Sequence, residues 1–271
     1  MTGAAGGVGA PLCAALAGRG YTVYAGVRSD APGLAGHRGI RTVRLDVTDP
    51  ESVAQAAEQI ARDAPGGLHA VVNNAGVIVQ GPLELLPAQE LRRQFEVNVY
   101  GPHQVTAAFL PLLRAGGGRV VNISAPSART ALPFFGPISA SKAALESLSV
   151  ALRGELAEWA VPVTVVELGM MDTPIFAKAD QAAKAVMARA SADQMDLYAS
   201  PLASLAKASA RMTPAPVDGA VKGIVEAVEA SRPKHRYLVG RDTRMASLLV
   251  VLPSRARGRV LARVLGLKAP R

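Results

Sequence analysis

Short apolar runs alternate with longer amphipathic segments along most of this chain. Runs rich in β-branched and aromatic residues predict six strands, at positions 21–28, 40–45, 68–73, 119–124, 161–168 and 236–239. Apolar residues at helical spacing predict helices at 10–18, 50–64, 88–97, 98–113, 137–159, 175–211 and 217–230, and two short ones beyond 242, divided at Pro253. Strands that alternate with helices form parallel sheets covered on both faces. The pattern therefore predicts an α/β fold with a single doubly wound parallel sheet.

The first predicted helix follows a glycine-rich turn that contains Gly3, Gly7 and Gly9. Glycines let a backbone approach a pyrophosphate closely, and a helix N-terminus presents free N–H groups to it. The turn is therefore a candidate dinucleotide-binding site. A strand normally leads into such a turn, but only two residues precede Gly3. We expect the first, central strand to be truncated or missing, through a wrongly assigned start or a shortened chain, and both the sheet and the cofactor site to be weakened if the chain begins here.

The end of the strand predicted at 21–28 bears on the choice of cofactor. Folds that bind NAD usually place an acidic residue there, which holds the ribose 2′-hydroxyl. This chain has Arg28 instead, and a guanidinium can pair with the 2′-phosphate of NADP(H). The sequence therefore favours NADP(H) over NAD(H), with a merely solvated arginine as the alternative. After the next strand, Asp46-Val47 precedes Thr48-Asp49-Pro50, which predicts a helix start.

The distribution of charged residues along the chain indicates which classes of partner the protein could bind. The net charge is +9 at pH 7, and positions 211–271 carry thirteen Lys or Arg against four Asp or Glu. This surplus predicts either a solvated C-terminal face or peripheral contact with an acidic partner or a membrane surface. Nucleic-acid binding is not expected, because neither a recognition motif nor interleaved aromatic residues accompany the basic ones.

No composition shift or linker divides the chain, which we interpret as one domain over 1–271. The Ala- and Met-rich segment 175–211 is a candidate substrate lid, and 242–271 holds the basic amphipathic C-terminal helices. Cys13 is the only cysteine, which excludes an internal disulfide and fits a reducing cytoplasm. The sequence shows neither an apolar run long enough to span a bilayer nor a secretory leader, so a cytoplasmic protein is expected.

These features together resemble the short-chain dehydrogenase/reductase family, whose fold is Rossmann-type, over nearly the full length. The spacing of the three glycines fits the family's glycine motif, and Asp46-Val47 fits its adenine-contacting turn. Asn73-Asn74-Ala75-Gly76 fits the motif that steadies the central sheet. The strand at 236–239 and the basic tail are similar to the steroid- and retinol-dehydrogenase-like branch.

The resemblance also implies roles for single residues. Asn98 stands at the active-site asparagine, and Lys142 stands at the lysine that holds the nicotinamide ribose and lowers the pKa of the catalytic tyrosine. Thr173 falls where the family contacts the nicotinamide end of the cofactor. The catalytic residues so implied are Asn98 and Lys142, and no metal ligands are implied. The implied cofactor-binding residues are Gly3, Gly7, Gly9, Arg28, Asp46, Val47, Asn74, Lys142 and Thr173.

The chain departs from the family pattern at the active site itself. The tyrosine position, four residues before Lys142, is Ile138, and the serine position, thirteen residues earlier, is Ala125. A proline that usually precedes Gly169 is Leu168. Removal of a positioned general acid costs about 10²–10⁴-fold and loss of an oxyanion donor about 10²–10³-fold. Because the two groups act as a unit, the losses do not multiply, and ordinary ketone reduction is expected to be weak.

Neighbouring hydroxyls offer few replacements. Ser124 should face the other side of its strand, and Ser139 is rotated by about 100° around the helix from Ile138. Ser127, on the following loop, could reach the pocket, whereas Tyr100 is expected to serve in packing.

Two functions are therefore predicted. The first is an NADP(H)-dependent oxidoreductase with an atypical active site, acting on a hydrophobic carbonyl or alcohol. The second is a cofactor- or ligand-binding relative without dehydrogenase activity, either a pseudoenzyme or a non-redox biosynthetic catalyst. By resemblance, the helices at 98–113 and 137–159 would join subunits into a homodimer or homotetramer.

Overall fold

The computed structural model describes residues 1–268, in which strands and helices alternate. The strands are β1 Val23–Val27, β2 Ile40–Arg44, β3 Ala70–Asn73, β4 Arg119–Ser124, β5 Val163–Leu168 and β6 Arg236–Val239. The helices are α1 Gly9–Ala17, α2 Pro50–Asp63, α3 Ala88–Phe95, α4 Gly101–Ala115, α5 Gly136–Glu155, α6 Pro174–Met187, α7 Ala192–Ser209, α8 Val217–Glu229, α9 Arg241–Val250 and α10 Ser254–Val264. This order confirms the predicted α/β class.

All strand pairs are parallel, and they form two sheets rather than the single sheet that was predicted. One sheet pairs β1 with β2, and the other has the order β3-β4-β5-β6. Buried strands such as β4 and β5 have no exposed residue, as expected where helices cover both faces of a parallel sheet.

The segment Met1–Ala4 lies between the two sheets and hydrogen-bonds to both. Gly26 N in β1 donates to Met1 O (2.8 Å), and Ala4 N donates back to Gly26 O (3.1 Å). On the other side Thr2 N donates to Val72 O in β3 (3.0 Å). These four residues are not assigned as a strand, but they occupy the place that a central strand would take. A cavity of about 100 Å³ adjoins Met1.

Two hydrophobic cores bind the sheets into a three-layer structure. On one face, α1 and α8 pack on residues from both sheets, including Ala25 of β1 and Val166 of β5. On the other face, α2 and α4 pack on both sheets, including Val43 of β2 and Val120 of β4. Each core therefore crosses the line between the sheets, which is the doubly wound arrangement that the sequence predicts.

Two helical segments differ from their predicted form. The predicted break at Asn98 is instead a π-helical segment, Glu96–Tyr100, which runs continuously from α3 into α4. The segment 175–211 is two helices, because Ser191 and Gln194 form a capping box that starts α7. Within residues 1–268, no helix is long and apolar enough to cross a membrane.

Candidate functional site

The carboxyl ends of the parallel strands place the predicted site residues along one edge of the sheets. Arg28 follows β1, Asp46 lies two residues beyond β2, and Asn74 follows β3. Ala125 follows β4, and Thr173 comes at the end of the loop after β5. Ligands of open parallel sheets bind at this edge.

The glycine-rich turn owes its shape to the absence of side chains at two positions. Gly3 has a φ of +64°, and a Cβ there would lie 2.8 Å from Ala75 Cα. A Cβ on Gly9, the first residue of α1, would lie 2.2 Å from Gly3 O. Any larger residue at either position would force the turn apart, so both glycines are needed for the turn to reach α1.

The turn is tied to the end of β3 by Asn74 and Thr2. Asn74 Nδ2 donates to Thr2 O and Gly3 O, both at 3.1 Å. The buried hydroxyl of Thr2 accepts hydrogen bonds from Asn74 N (3.1 Å) and Ala75 N (3.0 Å). The side chain of Asn74 is thus used in positioning the turn.

Gly7 meets the loop that follows β5. A Cβ on Gly7 would lie 2.7 Å from Thr173 Cβ, so Thr173, which precedes α6, rests directly on the turn. Ala5, Gly6 and Gly7 are exposed to solvent. The turn, the start of α1 and Thr173 together form a cleft whose exposed backbone and free helix N–H groups suit a pyrophosphate.

Arg28 and Asp46 lie together at the other end of this cleft. Arg28 is exposed, and its positive charge interacts electrostatically with the carboxylate of Asp46. Burial alone would raise the pKa of Asp46, but the hydrogen bonds from Thr48 and the charges of Arg28 and Arg44 outweigh it and lower that pKa below its ordinary value. Val47 is buried under the start of α4, where a Cβ on Gly101 would lie 2.8 Å from it.

Asn98 lies in the π-helical segment and is fully buried. Its Oδ1 accepts from Val77 N (2.9 Å) and its Nδ2 donates to Val77 O (3.0 Å), so both ends of the amide bind one residue of the loop after β3. Single π turns in helices are frequent at functional sites. Here the turn aims Asn98 at the loop that carries Gly76.

Sequence reasoning missed Gln94, which supports the same loop. Gln94 is fully buried, and its Oε1 accepts from Val79 N (2.7 Å). Its Nε2 donates to Val77 O (2.9 Å) and to Ser141 Oγ on α5 (3.1 Å). A buried glutamine with every bond made inside the protein acts in positioning, and no spacing in the sequence marks it.

Lys142 projects from α5 toward the ends of β3 and β4. Its Nζ donates to Ile123 O (2.7 Å) and lies 4.0 Å from where a Cβ on Gly76 would be, and Asn98 Oδ1 lies 3.5 Å from that same point. The predicted catalytic pair is thus brought together around Gly76. Burial lowers the pKa of Lys142 to about 8, and the charge of Glu146, one turn along α5, limits the fall.

The two positions that lack a hydroxyl are next to this pair. Ile138 is buried on α5, one turn before Lys142, and its carbonyl accepts from Ser141 Oγ (3.0 Å). Ala125 begins the turn Pro126–Ala128, which packs on α5. Neither side chain can donate a proton, so the site around Lys142 is apolar at both places.

The nearby serines differ in whether their hydroxyls are engaged. Ser124 Oγ donates to Glu146 Oε1 (2.6 Å), a residue of α5 one turn beyond Lys142, so this hydroxyl is engaged. Ser139 Oγ donates to Phe135 O (2.7 Å) within its own helix. Among residues 1–268, no hydrogen bond from Ser127 Oγ is found, although the residue lies on the turn that packs against α5.

A buried ion network lies next to Lys142 and includes Glu146, one turn further along α5. No sequence motif predicts this network. Glu167 of β5 is fully buried and is paired with Arg129 Nε (3.1 Å) and with Arg236. Arg236 also pairs with Glu146 Oε2 (2.7 Å), and the other oxygen of that carboxylate, Oε1, accepts from Ser124 Oγ. The network joins β4, β5, β6 and α5, so it fixes the helix that carries Lys142.

The candidate lid, 175–211, touches the loop after β3 through two polar contacts. Gln80 Nε2 donates to Asp180 Oδ1 of α6, and Tyr198 of α7 donates to Glu84 Oε2 (2.5 Å). No residue of α7 is buried. The placement of this segment over the loop is compatible with a lid, which stays a prediction.

Comparison with known proteins gives consistent matches. The family model described as short chain dehydrogenase matches residues 1–184. NADPH-dependent 3-dehydrocapnine reductase of Ornithobacterium rhinotracheale is 32% identical over 268 residues, covering 94% of this chain and 92% of that protein. Estradiol 17-beta-dehydrogenase 2 of Rattus norvegicus is 36% identical over 190 residues, covering 66% of this chain and 49% of that protein.

A solved structure shows the same fold. The crystal structure of a short chain dehydrogenase from Burkholderia cenocepacia J2315 in complex with NADP matches with a TM-score of 0.74 and 30% sequence identity. The match covers 97% of this chain and 95% of that one.

Proposed function

Because the chain belongs to the short-chain dehydrogenase family, among relatives that include a steroid dehydrogenase, we propose that it is an NADP(H)-dependent oxidoreductase acting on a hydrophobic carbonyl or alcohol. The observation that carries the proposal is the site around Gly76, where Lys142 and Asn98 are kept while Ile138 and Ala125 replace the donors. A site built to hold the cofactor but poor in proton donors predicts slow reduction of ordinary ketones.

The residues of the cleft fit a dinucleotide. The exposed turn Ala5–Gly7 and the N-terminus of α1 suit the pyrophosphate, and Thr173 stands beside them. Asp46 and Val47 would lie at the adenine end. Arg28 supplies a positive charge for a 2′-phosphate, which favours NADP(H) over NAD(H). The bound nicotinamide would supply hydride transfer, which no side chain of this protein can.

The protein's own groups have separate tasks in this proposal. Lys142 would hold the nicotinamide ribose, because its ammonium is fixed by Ile123 O and is charged at neutral pH. Asn98 and Gln94 hold the loop at Val77 and thereby the wall of the pocket. Buried Ile138 and the small Ala125 exclude water from the reacting oxygen, which favours an apolar ligand.

Ser127 is the hydroxyl that we assign to the substrate oxygen. Its hydroxyl makes no hydrogen bond within the described part of the chain, and its turn packs on α5, the helix that carries Ile138. A serine hydroxyl can donate a hydrogen bond to a developing alkoxide, but its own pKa is far too high for efficient proton release. This assignment therefore supplies stabilisation without a strong general acid.

The hydrophobic substrate class is supported by the surroundings of the pocket. A Cβ on Gly136 would lie 3.0 Å from Leu83 Cδ2, so Leu83 lies against the start of α5 two residues before Ile138. The side chain of Leu83 is 64% exposed. Leu83 therefore offers exposed apolar surface beside the start of α5 that a lipophilic ligand can cover.

The alternative is a relative that binds a cofactor or ligand without dehydrogenase activity, and the paired replacement at Ile138 and Ala125 favours it. The two functions share the cofactor cleft and differ in turnover. NADPH binding is measured by calorimetry, and NADPH consumption is followed with a panel of lipophilic ketones. Binding with slow turnover supports the oxidoreductase, whereas binding with no turnover supports the alternative. Absence of NADPH binding contradicts the oxidoreductase and the cofactor-binding form of the alternative.

Restoring the donors tests the identity of the vacant positions. The double variant Ile138→Tyr with Ala125→Ser should reduce ketones at least about 10²-fold faster than the natural chain, because both a general acid and an oxyanion donor are regained. Each single variant should gain much less, since the groups act as a unit. If the double variant binds NADPH but is no faster, these two positions are not the acid site.

Assembly and location complete the proposal. Leu148 and Val150 of α5 are exposed apolar residues, which supports a homodimer or homotetramer joined through α4 and α5. A cytoplasmic location rests on the single, unpaired Cys13.

A further inference from the structure

The C-terminal helices α9 and α10 expose large apolar residues to an unusual degree. Met245 is 67% exposed, Leu248 71% and Val251 81%, and Val260 and Val264 of α10 are also exposed. Scattered single apolar residues are normal on a protein surface. Here five of them fall within 20 consecutive residues, and we call this set the C-terminal apolar stripe.

Helical spacing puts basic residues beside this stripe. In α9, Arg241, Arg244, Met245 and Leu248 fall within about 100° of one another around the helix axis. Buried Thr243 lies on the opposite side. The outer face of α9 is therefore both apolar and positively charged.

The same arrangement recurs in α10. Arg255, Arg259 and Arg263 are spaced by four and are all exposed, so they form a row along the helix, in which Arg263 lies about 60° from Val260 and about 100° from Val264 around the axis. On the inner side, Ala262 is buried, and Leu265 just beyond the helix is buried as well. Apolar residues thus hold the helix to the protein, and a second set faces outward.

The surface carries almost no negative charge. Between positions 241 and 268 there are seven basic side chains and one acidic, Asp242. Asp242 is occupied, because its carboxylate accepts from Met170 N (2.7 Å) and from Thr243 N (3.1 Å). The charge of both helices is therefore predominantly positive.

We propose that α9 and α10 dock this protein onto an anionic lipid bilayer, with the C-terminal apolar stripe entering the interface and the arginines contacting lipid phosphates. Amphipathic helices that combine outward apolar residues with arginines bind membrane surfaces in this manner. Basic residues near an anionic leaflet each add attraction that salt screens. If the surface bound a protein partner instead, its binding would not depend on the charge of lipids.

The docking surface is in direct contact with the proposed active site. Arg129, five residues after Ser124, donates to Ser247 of α9 (2.7 Å), and a Cβ on Gly169 would lie 1.9 Å from Asp242 Oδ1. A bilayer-bound α9 would therefore hold the site at the membrane, where apolar molecules concentrate. The docking itself does not depend on the proposed reaction.

The experiment is co-sedimentation of the full chain with vesicles of phosphatidylcholine containing phosphatidylserine, or of phosphatidylcholine alone. Binding is expected only with the anionic vesicles, and it should weaken as salt rises from about 50 to 300 mM. The variant Leu248→Glu should bind at least about tenfold less. Its control is Leu197→Glu on α7, because Leu197 is also 71% exposed and the variant adds the same charge.

A second pair of variants separates local charge from total charge. The triple change of Arg255, Arg259 and Arg263 to Gln should lower binding at least about tenfold. Changing the exposed Arg38, Arg62 and Arg92 to Gln removes the same charge elsewhere and should have little effect. Thermal unfolding of each variant verifies that it is folded.

Three results would overturn the proposal. The first is equal binding to neutral and anionic vesicles, or none to either. The second is equal loss of binding in the test and control variants. The third is a change in molecular mass by light scattering in Leu248→Glu but not in Leu197→Glu, which would show that the stripe joins copies of this chain.

Discussion

At the scale of single residues, Lys142 is a site residue whose burial lowers the stability of the fold. Its ammonium is buried, and burial lowers its pKa to about 8 from 10.5. Below pH 8 the lysine is protonated in both folded and unfolded chains, so the folded state bears the whole cost of the buried charge. Between pH 8 and 10.5 only the unfolded chain holds the proton, and stability from this group rises with pH. The difference corresponds to about 3 kcal/mol at most.

The variant Lys142→Met should therefore be more stable than the natural chain at pH 7, by about 1–3 kcal/mol, because the desolvation cost is removed while the volume is kept. The gain should shrink toward pH 10. Urea unfolding at several pH values measures it, and the control is Lys184→Met, which replaces an exposed lysine of α6 and should not give this gain in stability. A Lys142→Met variant that is less stable at pH 7 would show that the bond to Ile123 O outweighs burial.

Ser127 is tested by comparison with Ser139. Ser127→Ala should lower residual carbonyl reduction at least about tenfold with unchanged NADPH affinity, because only the contact with the reacting oxygen is lost. Ser139→Ala removes another buried hydroxyl, which is bound to Phe135 O, and its activity should stay within about twofold. Equal activity in both variants, measured as kcat/KM with the best ketone, would remove Ser127 from the mechanism.

At the scale of elements, the sequence predicted most helices and strands because their apolar periods are long and regular. Strand β4 and strand β6 have the predicted bounds, 119–124 and 236–239. The strand predicted at 21–28 begins later, at Val23, and Tyr21, which precedes it, packs its ring against that of His69 (5.4 Å between ring centroids). That contact joins residues 48 positions apart, which no local pattern contains. The capping box at Ser191, in contrast, joins residues only three positions apart, so it is a signal that the sequence itself contains.

The parts of the candidate site that follow from the spacing of sequence motifs could be predicted. The parts that depend on contacts between distant segments of the chain could not. The positions of Asn98 and Lys142 follow from motifs, and the structure brings both to Gly76. The π turn that aims Asn98 has no periodic signal, since it is one extra residue in a helix. The ion network of Glu167 combines residues that lie far apart in the chain, so only the fold reveals it.

That network yields a prediction about the elements that it joins. Arg236→Met leaves Glu167, which is fully buried, and Glu146 with less compensating charge, and should destabilise the fold by about 2–4 kcal/mol. Arg236 is about one-third exposed, which keeps the value at the lower end of buried pairs. The control Arg19→Met breaks an exposed pair with Glu229 and should cost about 1 kcal/mol or less. Similar urea midpoints in both variants would mean that the network adds no more to stability than an exposed ion pair does.

At the scale of the whole molecule, the two sheets meet at the segment that also forms part of the proposed cofactor cleft. The cores on both faces cross this junction, and Met1–Ala4 completes it through backbone hydrogen bonds. Stability of the junction and affinity for the cofactor should therefore change together. Thr2 couples them most directly, because its hydroxyl binds the end of β3 while its carbonyl accepts from Asn74.

The variant Thr2→Val keeps the shape of the side chain but leaves Asn74 N and Ala75 N without an acceptor in a site where Thr2 is only 3% exposed. Unsatisfied buried amides cost about 1–3 kcal/mol each, so the free energy of unfolding should fall by about 2–4 kcal/mol. NADPH affinity should fall with it, because the glycine-rich turn loses its anchor. Thr42→Val on the exposed side of β2 is the matched control and should change neither quantity. Urea unfolding measures the stability, and calorimetry measures the NADPH affinity. A Thr2→Val variant that loses stability but binds NADPH normally would show that the two properties are not coupled.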